Sequence, residues 1–568
     1  MRPRTSRRSA PRRWSAAAFA LLAVVAAPCW TSSGRALAAS PEPWSDTDPQ
    51  SPPTRYELGD FGVRGGAEYR ANVLYIDPLD LTAESNRKVN IIEHRLRLDA
   101  TTDWMDKVRI TTSMDVMDGV LWGDNGSYGG EPESTSGANV NSNNVNAAKV
   151  CVRQTGASTV DPKSYQHSLC PADYLHVRRL YGDVVTPIGL FRIGRQAFTE
   201  GAAVALNDGN GRRNRFGVTN RGNTVDRILF ATKPLEAFKA PDMRDRSENK
   251  GIFLVLAYDR NVVDEPMKLG DDVQTWVTAV RALDPAPQIG LPFRDVEARL
   301  FHGYRFDRRN DTKVNAIGGR VSTRYGKFYG GLDAAAFIGE TSEVSKAFAV
   351  VTNDPVQSQA IRQLGARAVA RYDTRWWTAY LEADYASGDS DPQVGTPLTQ
   401  FRFSEDSTVG LLLFKHVFAY QTARASAAGV ELLRSLNAPT LPVEAIASRG
   451  AFTNAMAIFP QFDVRPTKDL LFRTGVLMAW APAPVHDPVQ SQQKRDGTTI
   501  SDDLVNFNGG KPGKFYGTEV DARVQWRYLD HFAFDLEGAI LFPGDALEDQ
   551  DGNAVRSVMV QGRTTFFF

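Results

Sequence analysis

From Gly66 to Tyr75 the chain alternates: Ala67, Tyr69, Ala71, Val73 and Tyr75 are apolar, while Gly66, Glu68, Arg70 and Asn72 fall between them. The same period recurs at Trp377, Ala379, Leu381, Ala383 and Tyr385 against Thr378, Tyr380, Glu382 and Asp384. It returns at Thr518, Val520, Ala522, Val524, Trp526 and Tyr528 against Glu519, Asp521, Arg523, Gln525 and Arg527. A period of two places the two sets on opposite faces of a strand. The runs also have the length, about ten residues, that a tilted strand needs to cross a bilayer, whereas strands of soluble sandwiches run about five or six.

The connections alternate as well. Short turns are expected at 101–106, 186–188, 325–327, 373–375, 465–469 and 528–531, and long polar segments at 122–173, 199–222, 339–361, 388–452, 482–514 and 543–554. Tight turns at one rim and long loops at the other are the arrangement of an outer-membrane barrel. Counting between them predicts an all-β fold, one transmembrane antiparallel β-barrel over 61–568 with about eighteen strands, within a range of about sixteen to twenty. The spread comes from 228–306, where the turn at 233–250 is long for its rim. Beyond the first residues no run of about 18 apolar residues occurs, which excludes membrane helices on length and leaves a barrel as the way to span.

The opening MRPRTSRRSAPRRW, the apolar run AAAFALLAVVAA and the small-residue stretch Ala36-Leu37-Ala38 have the order of a secretory signal peptide, expected over 1–38 and too short to stay as an anchor. A periplasmic segment is expected over 39–60. Arg7-Arg8 lacks the apolar residues of a twin-arginine signal, and Pro28 before Cys29 does not suit lipid attachment. The whole chain has 66 basic and 66 acidic residues; loss of the seven arginines in 1–38 leaves 59 against 66, a formal charge of −7. With no clustered Lys/Arg tail, a nucleic-acid partner is not expected. At the other end Val558, Val560, Gly562, Thr564, Phe566 and Phe568 share one face, with Gln561, Arg563 and Thr565 on the other. Phe568 completes that pattern, which resembles the signal read by the bacterial barrel-assembly machinery, so this machinery and the lipid bilayer are the expected partners.

Three stretches carry a family resemblance: LFRIGRQ at Leu190 to Gln196, LEADYASGD at Leu381 to Asp389, and GTEVDARVQWRYLDHFAFDLEGAILFPGD at Gly517 to Asp545. Together they resemble the alginate-export type of outer-membrane barrel over about a quarter of the chain. The resemblance implies an eighteen-strand barrel with a charged lumen that passes a polymer or small solutes, without fixing the substrate. The long loops 122–173 and 388–452 depart from it and are placed to plug or cap the pore.

If the apolar set of each strand faces lipid, the other set faces the lumen, because charge on the lipid face costs a few kcal/mol per residue at mid-bilayer. That assigns Glu68, Arg70, Glu93, Arg95, Arg97, Asp99, Arg109, Asp115, Arg367, Arg371, Glu382, Asp384, Arg473, Glu519, Asp521, Arg523 and Arg527 to the pore lining. Arginine dominates its basic members, and a guanidinium grips carboxylate or phosphate with two bonds, which points to anionic solutes or polysaccharide. Acids are almost as numerous, so a salt-bridge network that only satisfies interior charge is the competing reading. Register leaves open whether Arg192 or Arg195 faces inward.

Cys151 and Cys170 share one loop bound for an oxidising compartment, where a disulfide is the expected state; His167 alone beside them makes no metal site. Over 407–436 the period changes to that of a helix, through Leu411, Phe414, Phe418, Ala425, Leu432 and Leu436, suiting a lumen plug, a rim helix or an ordinary loop helix. Asp549, Asp551 and Asn553 have calcium-loop spacing without the distal acid, and NGGKPGK at 508–514 lacks the Walker spacing. No catalytic motif, metal site or cofactor is indicated. Three function classes remain: a channel or export pore, an outer-membrane hydrolase, and a surface receptor or structural barrel.

Overall fold

The computed structural model describes residues 54–81, 89–105, 107–123, 173–197, 204, 214–218, 224–245, 247, 249–263, 273–288, 290–308, 311–405, 407–438, 443, 445–496, 500, 502–529 and 531–568. The signal peptide expected over 1–38, with Cys29, and also Cys151, His167 and Cys170, lie outside them. The described residues form one nineteen-stranded sheet. Eighteen of its strands, from Phe61–Asp77 to Ser557–Phe567, pair antiparallel in chain order. The last then closes on the first, from Val558↔Asp77 to Phe567↔Glu68. The barrel therefore has no open edge, which is what a sheet in hydrocarbon requires.

The nineteenth strand, Thr54–Leu58, folds back on Phe61–Gly65 in register Thr54↔Gly65 to Leu58↔Phe61. It covers the same edge of Phe61–Asp77 that Ser557–Phe567 covers higher up, and between them Phe568 and Ala67 exchange backbone hydrogen bonds of 2.9 and 3.0 Å. The sheet thus begins at Thr54, inside the segment expected to precede the barrel.

All six expected short turns lie at one rim, and the loops 341–359, 386–455, 480–515 and 543–557 lie at the other. The poorly patterned region resolves into strands Thr224–Thr232, Gly251–Val263, Gln274–Asp284 and Phe293–Asp307. Its long turn sits at the short-turn rim, as its parity demands, and holds a helical turn, Pro234–Ala237. One connection at the long-loop rim, from Asp307 to Thr312, is short.

The alternation becomes a difference in surroundings. Thr378, Tyr380, Glu382, Asp384 and Ala386 are buried, while Trp377, Leu381 and Tyr385 are exposed. Along Phe532–Pro543, Asp535, Glu537, Ala539 and Leu541 turn in, and Phe534, Leu536, Ile540 and Phe542 turn out. The outward set is the lipid-facing surface.

Loops from the long-loop rim fill part of the interior. Most of the segment 407–436 is helical, as expected, from Leu413 on: a π-helical stretch, Leu413–Phe418, runs into an α-helix, Ala419–Ser435. Its beginning packs inward as a plug against the wall, while the α-helix that follows packs among the other loop helices. Leu411, Phe414 and Phe418 are fully buried with Leu74, Ile76, Leu477, Leu541 and Met559 of the wall. Small wall residues admit this packing, since a Cβ at Gly365 would meet the Phe401 ring. Two shorter helices, Glu343–Thr352 and Pro488–Lys494, share a second apolar cluster with Val430 and Leu433 of the plug helix. The second of them is capped by Asp487, which accepts from the amides of Val489 and Gln490.

Candidate functional site

The interior wall has two chemistries. Around the plug it is apolar; elsewhere it is ionic. Adjacent strands place opposite charges side by side, so most pairs form across one hairpin. Arg97 grips Asp115 with two bonds of 2.6 and 2.9 Å. Arg95 is bonded to Glu68. Arg367 reaches Asp384 at 2.6 Å and Glu382 at 3.3 Å. Arg473 grips Asp463 at 2.7 and 2.8 Å. Arg523 and Arg563 share Asp535, at 2.7 and 3.0 Å, and Arg563 also reaches Glu537 at 3.0 Å. These groups are buried, and partner proximity is what offsets their desolvation.

The other expected lining residues lie around this network. Arg70 is buried opposite Arg95, Glu93 is half-buried opposite Asn72, and Arg109 sits between Asp103 and Asp183 across the ladder. Arg371 pairs with Asp373 at 2.9 Å, and Arg527 donates to Gln525 at 3.1 Å. Asp99 is exposed. Of the two arginines left open by register, Arg192 turns in and grips Asp183 at 2.7 and 3.0 Å. Arg195 shares the alternation of the exposed Ile193 and pairs with Asp226. Asp549 closes a turn on itself by accepting from the amides of Asp551 and Asn553.

Glu519 has a different role from its neighbours on the strand Phe515–Tyr528. Its carboxylate accepts from the amides of Leu411, Leu412 and Leu413, at 2.7, 2.8 and 2.5 Å, where the plug enters its helix. Those donors are orphans of a helix start, and a carboxylate is their best acceptor. Asp521, two residues on, is fully buried and lies beside the Glu519 carboxylate. Its ladder neighbours are Gly475 and Ala539, and the charge nearest it is that carboxylate.

A second loop segment, 214–218, enters at the ionic level. Arg215 donates to Gln461 and Asp463 at 2.6 and 2.8 Å, and its carbonyl accepts from Arg473 and Arg523 at 2.6 and 2.8 Å. The Gly217 amide donates to Glu537 at 2.9 Å. Lys415 of the plug donates to the carbonyl of Val218, joining the two loops. Sequence reasoning missed Arg215, since nothing in a polar loop marks which arginine enters the barrel. Asp463, Asp535 and Glu537 were findable, because they alternate with Phe462, Phe534 and Leu536.

On the opposite wall Arg281, Arg299 and Arg320, from three neighbouring strands, surround Glu297 at 3.0, 3.1 and 3.6 Å. Arg281 keeps 36% of its side chain exposed. Among the described residues no group of three or more His, Cys, Asp or Glu side chains is arranged to hold a metal ion.

The family model for alginate export matches residues 63–561. The chain belongs to the alginate export family. As a member it is a β-barrel channel protein of the bacterial outer membrane, and the residue stretches that carried the resemblance lie inside the matched span. No curated protein sequence matches this family member. Among solved structures it is similar to Acinetobacter baumannii OccAB1, at 9% identity and a TM-score of 0.47 over 89% of this chain and 96% of that one. Pseudomonas aeruginosa OccK9 (OpdG) gives 8% and 0.45 over 89% and 98%. Pseudomonas aeruginosa OpdK with vanillate gives 9% and 0.43 over 89% and 98%.

The anchoring of the plug can be tested at Glu519. Replacing Glu519 with Ala leaves three buried amides unanswered, at about 1–3 kcal/mol each, and should release the plug. Planar-bilayer recordings are expected to show larger or more frequent openings, with a smaller effect for Glu519→Gln; openings identical to wild type would remove Glu519 as the anchor.

Lys415 supplies a pH test. Burial pushes its ammonium down from the usual 10.5 to about 8. Between those values the docked plug binds fewer protons than a released one, so docking strengthens as pH rises from about 8 towards 10.5 and is level below 8. Protease protection of the 387–454 loop should grow over that window and lose the growth in Lys415→Met. An unchanged slope in that variant would assign the dependence to other groups.

Proposed function

We propose that this channel passes carboxylate-bearing solutes or polysaccharide, in keeping with the export of alginate named in the family's description. The observation that carries the reading is Arg281, which shares Glu297 with two other arginines while a third of its side chain stays open. A partly open guanidinium in a low-dielectric channel raises the local anion concentration and can engage a passing carboxylate with two bonds. Arg97, Arg367 and Arg523 are buried in ion pairs, and in this reading they hold the wall while Arg281 meets the solute. Their burial also favours a second reading, a structural or receptor barrel whose charges serve stability alone.

Reversal potentials in a salt gradient separate the two. Arg281→Gln should shift selectivity toward cations, and the shift should shrink as salt shortens the reach of the field from about 10 Å at 0.1 M to about 3 Å at 1 M. Arg473→Gln should instead lower stability by about 1.5–3 kcal/mol, by removing the two-bond partner of Asp463 while Arg215 and Arg465 remain. If Arg281→Gln leaves selectivity untouched, the anion reading falls and the structural barrel takes its place.

The same reading makes the strand Ser557–Phe567, with Phe568, the part engaged by the barrel-assembly machinery. Two variants divide side chain from backbone. Deleting Phe568 removes both hydrogen bonds to Ala67, whereas Phe568→Ala keeps them. Both should lower the yield of folded barrel in the membrane, the deletion more; wild-type yield from Phe568→Ala would remove the ring from that role.

A further inference from the structure

The outward face can be read straight across the ladder. One row, Tyr258, Trp276, Tyr304, Asn315, Ile338 and Arg362, crosses six neighbouring strands near their long-loop ends. Trp276 and Ile338 are exposed, as is Leu364, which shares the alternation of Arg362. The Tyr258 and Trp276 rings are 4.7 Å apart. Tyrosine and tryptophan near strand ends mark the level where hydrocarbon meets head groups. Arg362 therefore stands at the outer margin of the lipid-facing surface, three residues into the strand Gln359–Asp373.

Arg362 is exposed, and among the described residues no acid forms an ion pair with its guanidinium. That sets it apart from the other outward arginine described above. Arg195 meets Asp226 with bonds of 3.0 and 3.2 Å, so its charge is neutralised within the protein. Beside the aromatic row, Glu340 is engaged by Lys313 at 3.1 Å. A cation on a lipid-facing surface is costly without a counter-ion, and near the interface the anion on offer is the phosphate of a head group. The planar fork of arginine suits phosphate with two bonds.

We propose that Arg362 binds the phosphate of a lipid head group in the outer leaflet. The aromatic row would flank the lipid, and the site would fix the barrel's depth and rotation against its annulus. This assignment rests on the outer-membrane placement and is independent of what the lumen carries.

The test uses the full protein purified in detergent, with lipopolysaccharide as probe and its enzymatically dephosphorylated form as control. Native mass spectrometry should show the phosphorylated form retained in preference to the control, and heat unfolding followed by gel mobility should shift upward with the phosphorylated form alone. Arg362→Gln should weaken retention roughly tenfold, the loss of one charge-assisted contact. Equal retention of the two forms, or unchanged retention in Arg362→Gln, would overturn the proposal. Should Arg362→Gln fail to fold, the two probes on the wild-type protein still decide it.

Discussion

Hydrocarbon offers no hydrogen bonds, so every backbone amide and carbonyl that crosses it must be answered by another strand. In this chain that requirement is met by closing Ser557–Phe567 onto Phe61–Asp77, strands separated by almost the whole sequence. Closure sets the rest. Once the sheet is a cylinder, each strand has one face in lipid and one in the interior, and the charges have a single place to go. The short hairpin of Thr54–Leu58 belongs to the same constraint, since it covers the length of Phe61–Asp77 that the closing strand does not reach.

Confining the charges creates the second problem, their desolvation. The interior solves it by placing acids within reach of arginines on the same or the next strand, even where two arginines face each other across the ladder, as Arg473 and Arg523 do. Single carboxylates serve several cations, as Asp463 does for Arg215, Arg473 and Arg465. Such networks are brittle, because removal of one member strands the others in a low dielectric. That makes the fully enclosed arginines poor candidates for meeting a solute. It directs attention to the place where the network stays open, at the partly exposed Arg281.

The inward loops turn a cylinder into a shaped conduit. The plug is not merely lodged; its helix start is fastened to Glu519, its apolar face completes a core with the wall, and Lys415 ties it to the loop that carries Arg215. A wall whose acid serves as a helix anchor links the state of the conduit to the state of one side chain. The outside of the barrel follows the same rule of answered charge, with Arg195 met by Asp226 and Arg362 left to the membrane.

By itself the sequence determined what depends on local periodicity. A period of two at membrane length, with tight turns and long loops alternating along most of the chain, yields a closed barrel of about eighteen strands, because lipid enforces the pattern residue by residue. Cross-hairpin pairs such as Arg367 with Asp384 follow from that register. The helical character of 407–436 was legible for the same reason, as a change of period. Only the tertiary structure decided which way that helix went and which acid held it, since Glu519 and Leu411 are 108 positions apart. Arg215 and Asp463, 248 apart, meet for the same reason. Glu519 and Asp521 carry identical alternation signals, yet it is Glu519 that accepts from the three amides of the plug. The difference lies in where a distant loop happens to arrive, and loop placement is set by packing inside the closed barrel, which no local pattern encodes.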